Sequence, residues 1–389
     1  MGFLKEAPFP GVQPYAASDA PNFHGRRREV RDLAALIVAN QVVVLYGPGG
    51  IGKTSLVNAG VVPRLRERGF EVLPAARVGL RGSLGGSDGP SANPFVQGLL
   101  RCLSDHAGYH HDTGSRRIGE WLDSLPRQVD ALGWQGPRVL IIDQLEELYS
   151  SEPLPGHGPS RVNRAELMCQ LAEAVTRDPV LRVLMVIREE YRPALEADAA
   201  HFPQHLDTQY RLAPLARDKA VEVLERTALA AGRPFASGVA ERIVSALASQ
   251  APGGLEEFVD PVALQVMASE IWRCLPDGAH LIEDSVLEGP VEASLQQYYD
   301  DVMRQVSAFG HVSEARLREW MEQQLITPAG TRSIVFRGAG ETAGMPNHVV
   351  DALAEHHLIR GEYRAGAIWY ELVHDRLVSA VLRSNAERA

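Results

Sequence analysis

Residues 47–54 constrain this chain more than any other stretch: Gly47-Pro48-Gly49-Gly50-Ile51-Gly52-Lys53-Thr54. The pattern is glycine, four residues, then Gly-Lys-Thr. Its glycines let successive main-chain N–H groups turn inward onto phosphate oxygens, its lysine reaches the β- and γ-phosphates, and its threonine hydroxyl ligates Mg²⁺. The chain has three lysines, Lys5, Lys53 and Lys219, against 36 arginines. One of the three stands where a flexible ammonium suits a phosphate cradle better than a planar guanidinium. The flanks agree. The β-branched run 41–46 reads as a buried strand. Thr54 and Ser55 open a helix whose positive end faces the phosphates. Gly47 to Ser55 is therefore the expected phosphate site of a nucleotide, with Mg²⁺ on Thr54.

The rest of the chain is organised around that loop. Residues 1–22 hold four prolines and no periodicity, and read as an extended lead-in. From 23 to 213 strands alternate with helices: strands at 41–46, 70–77, 138–143, 181–188 and 208–212. Such alternation predicts an α/β domain with a mostly parallel sheet covered by helices on both faces. After Pro214 the strands stop. Apolar residues at helical spacing over 218–231, 237–250 and 261–275 predict a small helical bundle, residues 214–290. From 291 to 389 the pattern is helices at 291–307, 313–325 and 347–357, then two strand-like runs at 358–363 and 368–373. Three helices and a two-stranded ribbon outline a winged helix.

A phosphate loop needs a carboxylate for Mg²⁺ and a group that orients attacking water. Asp143 follows four apolar residues, Val139 to Ile142, at the end of a buried strand. Two helices and a strand separate it from the loop, so the two strands are expected side by side. The run Asp143-Gln144-Leu145-Glu146-Glu147 offers two further acids. Either Glu146 or Glu147 fits the water-orienting base, with Glu146 the first choice; both also suit a solvated helix start. Arg188 ends the strand 181–188. It suits a γ-phosphate sensor, or a surface arginine paired with Glu189 or Glu190.

Composition sets limits. With 45% hydrophobic and 23% charged residues this is an ordinary globular chain. A net charge of −10 disfavours sequence-independent binding to nucleic acid or acidic membranes. Cys102, Cys169 and Cys274 are too few and scattered for a disulfide framework or zinc site, which fits a reducing cytoplasm. No signal peptide or spanning stretch is visible.

The phosphate loop, the acidic run 143–147 and the lead-in Phe23-His24-Gly25-Arg26-Arg27-Arg28-Glu29 together resemble the STAND class of signalling ATPases, related to NACHT and NB-ARC cores. The likeness is greatest to the bacterial novel STAND group, and runs from about Pro8 to Asn385. It includes Ile187-Arg188-Glu189-Glu190-Tyr191, the segment 210–215, and 369–378. The resemblance implies ATP or ADP as ligand with Mg²⁺. Gly25 and Arg26 would border the adenosine, and Asp143 would hold Mg²⁺. Glu146 would orient water, Arg188 would sense the γ-phosphate, and His374 would touch the β-phosphate of ADP. Pro261 would face the adenine, although Val259-Asp260-Pro261-Val262 lacks the usual glycine before it.

Such proteins are switches: ADP closes them, ATP lets them self-associate, and slow hydrolysis resets them. A sensor and an effector normally flank the core, so this chain is expected to work as a bare core or with those parts on separate chains. Antiviral defence is a common setting. The competing reading is a DNA-binding regulator built on the winged helix. Charge speaks against it: residues 291–389 carry 13 acids and 10 bases, and 347–357 has Asp351 and Glu355 but no Lys or Arg. A small-molecule kinase or a motor would need an arginine lid or finger, which the sequence does not single out.

Overall fold

The computed structural model describes residues 8–11, 13–78, 93–107, 117–127, 136–150, 160–202, 205–248, 257–276, 278–284, 290–328, 330–356, 358–364, 367–373 and 376–388. At its centre is a parallel sheet of five strands: β1 (Val42–Gly47), β2 (Glu71–Val72), β3 (Arg138–Ile142), β4 (Leu181–Arg188) and β5 (Gln209–Arg211), in spatial order β2-β3-β4-β1-β5. The alternation of side chains across the pleat explains why it is buried twice over. Val42 and Val44 of β1, Leu140 and Ile142 of β3, and Val183, Met185 and Ile187 of β4 join one apolar cluster. Val43 and Leu45, Val139 and Ile141, and Leu184 and Val186 join another on the opposite face.

The order corrects one expectation. β1 and β3 are not neighbours; β4 is inserted between them, with Gly47 opposite Arg188 and Ile142 opposite Met185. The strand expected over 70–77 is hydrogen-bonded as a strand at Glu71–Val72, plus one bridge from Ala76 to Ile142. Pro74 has no N–H to continue the ladder.

Strands do not stop after Pro214. β6 (Leu215–Ala216) pairs antiparallel with β7 (Phe258–Val259), among helices Arg217–Ala230, Val239–Ala248 and Pro261–Cys274. Further on, helices Pro290–Gly310, Glu314–Leu325 and Asn347–Glu355 accompany β8 (Ile334–Phe336), β9 (Glu341–Thr342), β10 (Met345–Pro346), β11 (Ile359–Arg364) and β12 (Ala367–Leu372). β11, β12 and β8 form a three-stranded antiparallel sheet, one strand more than the ribbon expected. A last helix, Arg376–Arg388, was not foreseen; it packs on Pro290–Gly310. One continuous apolar cluster joins this C-terminal part to the helices before it, from Leu215 to Val381.

The lead-in is not merely extended. Ala17–Asn22 is a 3₁₀ helix, and Phe9 and Tyr15 are buried. Phe9 enters the cluster of the helical part and meets Trp272 edge-on, ring centroids 6.2 Å apart. Tyr15 N–H donates to Ser55 Oγ at 3.2 Å. The N-terminal segment thus bridges the helical part and the helix after the phosphate loop. Among the described residues no helix is long and apolar enough to cross a membrane.

Candidate nucleotide site

The loop between β1 and the helix starting at Lys53 is shaped by two left-handed glycines, Gly50 at φ 74° and Gly52 at φ 93°. Lys53 folds back over it, donating from Nζ to the carbonyls of Gly47 at 2.8 Å and Pro48 at 2.9 Å. Burial pushes its pKa down to about 8, against the opposing pull of Glu146 and Asp143. A poorly solvated ammonium surrounded by main-chain dipoles gains strongly from an arriving phosphate.

Thr54 donates from Oγ1 to Asp143 Oδ2 at 2.8 Å, although their strands are separated by β4. Asp143 is buried, and its main-chain nitrogen donates to Ala76 at 2.8 Å. Gln144 then adopts φ 55°, a left-handed conformation uncommon for a residue with a side chain. That turn carries the chain from the Asp143 strand end to Glu146. Glu146 accepts from the Arg188 main-chain nitrogen at 3.2 Å and from its Nε at 3.1 Å. The Arg188 guanidinium lies against the loop: a Cβ placed on Gly49 would sit 3.6 Å from its Nη1. Arg188 is therefore paired with Glu146, not with Glu189, which pairs with Arg211 at 3.0 Å.

These groups open onto one cavity of about 360 Å³, within the range of small-ligand pockets. Arg26, Gly49, Gly50, Ile51, Gly52, Lys53, Thr54, Ser55, Asp143, Glu146, Arg188 and Pro261 all line it. Gly47, Pro48, Gly25 and Glu147 do not. Gly47 and Pro48 act through their carbonyls on Lys53. Gly25, at φ 77°, serves a close approach: a Cβ there would lie 2.8 Å from Val223 Cγ2 and 2.9 Å from the Lys219 carbonyl. Glu147 begins the short helix Glu147–Ser150. His374 lies outside the described residues.

Sequence reasoning missed part of the wall. Tyr15 comes from the lead-in, and Val262, Leu264 and Gln265 come from the helix after Asp260, whose carboxylate caps it by accepting from Val262 N–H at 2.8 Å. Ala354 and Glu355 come from the end of helix Asn347–Glu355. The C-terminal part is also tied down by Arg360 of β11, whose Nη1 lies 3.7 Å from Asp260 Oδ2. None of these follows a motif; the one available signal was the acid-proline start of the helix, Asp260-Pro261.

A glycine loop between strand and helix, a lysine folded over it, and a buried acid bonded to the loop threonine define a P-loop nucleoside triphosphatase. The chain belongs to the Novel STAND NTPase 1 family, whose model matches residues 8–383. No curated protein matches it. Among solved structures it resembles the Aeropyrum pernix ORC1 protein in complex with DNA, at 14% identity and TM-score 0.51, covering 95% of this chain and 94% of that one. A Walker-type ATPase of Pyrococcus abyssi aligns at 14% identity and TM-score 0.49, over 95% and 98% of the two chains. Aeropyrum pernix ORC2 protein in its ADPNP–ADP complexes aligns at 15% and 0.45, over 93% and 94%. At such identities the first likeness supports the fold, and the two weaker ones add no argument.

Proposed function

We propose that this chain is an ATP- and ADP-operated switch. ADP holds a closed resting form, ATP with Mg²⁺ favours an open form that self-associates, and slow hydrolysis returns it to rest. The observation that carries this reading is a single cavity walled by three separate stretches: the phosphate loop and its flanks, the helix Pro261–Cys274, and the end of helix Asn347–Glu355. A nucleotide there touches all three. One that differs by a γ-phosphate interacts differently with the closed and open arrangements, which is what a switch requires.

In this reading the γ-phosphate competes with Glu146 for Arg188. Capturing Arg188 frees Glu146 to orient water. Glu355 lines the wall from the C-terminal part, so the occupant of the cavity is in reach of that part. Thr54 and Asp143 are oxygen donors already within hydrogen-bonding distance of each other, and fit Mg²⁺, which takes one or two protein oxygens and completes its shell with phosphate and water. When bound, the ion would neutralise charge between the β- and γ-phosphates.

We read residues 23–213 as the nucleotide domain, 214–290 as a helical domain and 291–389 as a winged helix serving as the latch. His374 is assigned to the β-phosphate by family resemblance. A sensor and an effector elsewhere and a role in antiviral defence rest on that resemblance alone, and a cytoplasmic location rests on the few, scattered cysteines. The DNA-binding alternative has less support, since helix Asn347–Glu355 carries Asp351 and Glu355 and no Lys or Arg. Calorimetry with ADP and Mg²⁺ on wild type and Lys53→Ala tests the nucleotide reading. Loss of at least about tenfold in affinity is expected from removing a charge-assisted contact; unchanged affinity would overturn it.

A further inference from the structure

The sheet order β2-β3-β4 sets three strand ends side by side at the cavity, and a charged residue stands at each: Arg77 beyond β2, Asp143 after β3 and Arg188 on β4. Register decides which way they face. Ala76 pairs with Ile142, and the Asp143 nitrogen donates to the Ala76 carbonyl at 2.8 Å. Ala76 and Val78 are buried in the apolar cluster that also takes Ile142 and Ile187. Alternation along the strands therefore puts Arg77, Asp143 and Arg188 together on the other side of the sheet. That side carries the phosphate loop and its helix, through Ile51, Leu56 and Val57. Thr54 bonded to Asp143, and Gly49 beside the Arg188 guanidinium, agree with it.

The other lysine and arginines of the wall are engaged. Arg188 donates to Glu146, Lys53 to two loop carbonyls, and Arg26 to Glu29 and the Ala213 carbonyl. Arg77 is exposed, lines the same cavity, and has no hydrogen-bond or ion-pair partner among the described residues. A guanidinium holds its donors in a planar fork that matches phosphate oxygens. Here one stands beside the acid bonded to the loop threonine, with its fork uncommitted.

We propose that Arg77 is a catalytic residue of ATP hydrolysis, contacting the γ-phosphate from the β2 side, across Asp143 from Arg188. The inference rests on the nucleotide reading above and adds a residue to its chemistry. In the reaction the oxygen of water bonds to the γ-phosphorus, and the bond from that phosphorus to the β–γ bridging oxygen breaks. The proton that water loses passes to Glu146 and then to the released phosphate, leaving ADP and inorganic phosphate. Midway, charge spreads over the oxygens of the γ-phosphoryl group. A guanidinium already in place stabilises that state with little reorganisation. Arg188 must first leave Glu146; Arg77 has nothing to leave. ADP gives Arg77 no γ-phosphate to hold, so its contribution is confined to the triphosphate and the transition state.

The experiment uses wild type, Arg77→Ala and Arg77→Lys. Calorimetry compares ADP with ADP plus aluminium fluoride, a mimic of the γ-phosphoryl group in transit, both with Mg²⁺, and phosphate release gives ATP turnover. ADP affinity is expected to be the same in all three. The ADP complex of Arg77→Ala should bind aluminium fluoride at least about tenfold more weakly than that of wild type, the worth of a hydrogen bond to a charged group. Its kcat should fall by about 10³-fold or more, as loss of an arginine acting on the γ-phosphate does, with KM little changed. Arg77→Lys, which keeps the charge without the fork, should fall between. Unchanged turnover or unchanged aluminium fluoride affinity in Arg77→Ala would overturn the inference, and so would an equal loss of affinity for ADP with and without aluminium fluoride. If wild type takes up no aluminium fluoride, turnover decides alone: a lower kcat in Arg77→Ala supports the inference and an equal one overturns it. Failure of wild type to bind ADP is a different result, and defeats the nucleotide reading itself.

Discussion

Arg188 donates to Glu146 twice, from its main-chain nitrogen and from Nε, across two strand ends that meet beside the phosphate loop. Each residue is thereby kept from the role it would play with a triphosphate bound. Arg188→Ala should lower the preference for a non-hydrolysable ATP analogue over ADP by roughly ten- to a hundredfold, the worth of a hydrogen bond to a charged group. Glu146→Gln should spare binding and slow hydrolysis by about 10²- to 10⁴-fold, as loss of a general base does. Paired binding and phosphate-release assays check both. Normal hydrolysis in Glu146→Gln with loss in Glu147→Gln would move the base by one residue.

Lys53 makes the site sensitive to pH. Its pKa in the folded chain lies at about 8, below the ordinary 10.5, because burial penalises the charged form. Between those values the unfolded chain binds more protons, so the Lys53 contribution to stability rises with pH across that window and is least favourable below 8. Nucleotide binding runs the other way, since phosphates need the ammonium. ADP affinity should fall as pH rises above about 8, with proton uptake on binding. Calorimetry at pH 8.5 in buffers of different ionisation enthalpy measures that uptake; none would contradict the assignment.

Asp143→Ala should uncouple Mg²⁺ from binding. Asp143 Oδ2 accepts from Thr54 Oγ1, and both residues line the cavity. The variant should bind ADP with an affinity that no longer depends on Mg²⁺. A titration of Mg²⁺ at fixed ADP shows this as a flat response.

Gly25→Ala should destabilise the fold by about 2–4 kcal/mol, from a left-handed residue with a side chain plus overpacking. The added Cβ would meet Val223 and the Lys219 carbonyl, and main chain cannot move aside as a flexible side chain can. Urea unfolding gives the loss. A neutral result would mean that helix Arg217–Ala230 shifts freely against the first domain.

Legibility of the fold followed the length and regularity of each pattern. The β1, β3 and β4 runs are continuous apolar stretches, and their two-faced burial is what such runs dictate. Their order was not legible, because insertion of β4 between β1 and β3 depends on how crossovers pack and not on spacing along the chain. The motif residues Lys53, Thr54 and Asp143 were found because phosphate chemistry fixes their types. Tyr15, Gln265 and Glu355 were not, since any side chain that closes a cavity from a distant helix carries no local signature. β8 was missed because Ile334–Phe336 is short and half exposed, with two large apolar side chains facing solvent.

The central claim is that the identity of the nucleotide sets the association state. Sedimentation velocity on the wild-type chain, with ADP·Mg²⁺ and with a non-hydrolysable ATP analogue and Mg²⁺, tests it most directly. The switch predicts a single small species with ADP and larger species with the ATP analogue, and no larger species for Lys53→Ala in either. Identical distributions with both nucleotides, each shown to be bound, would contradict it.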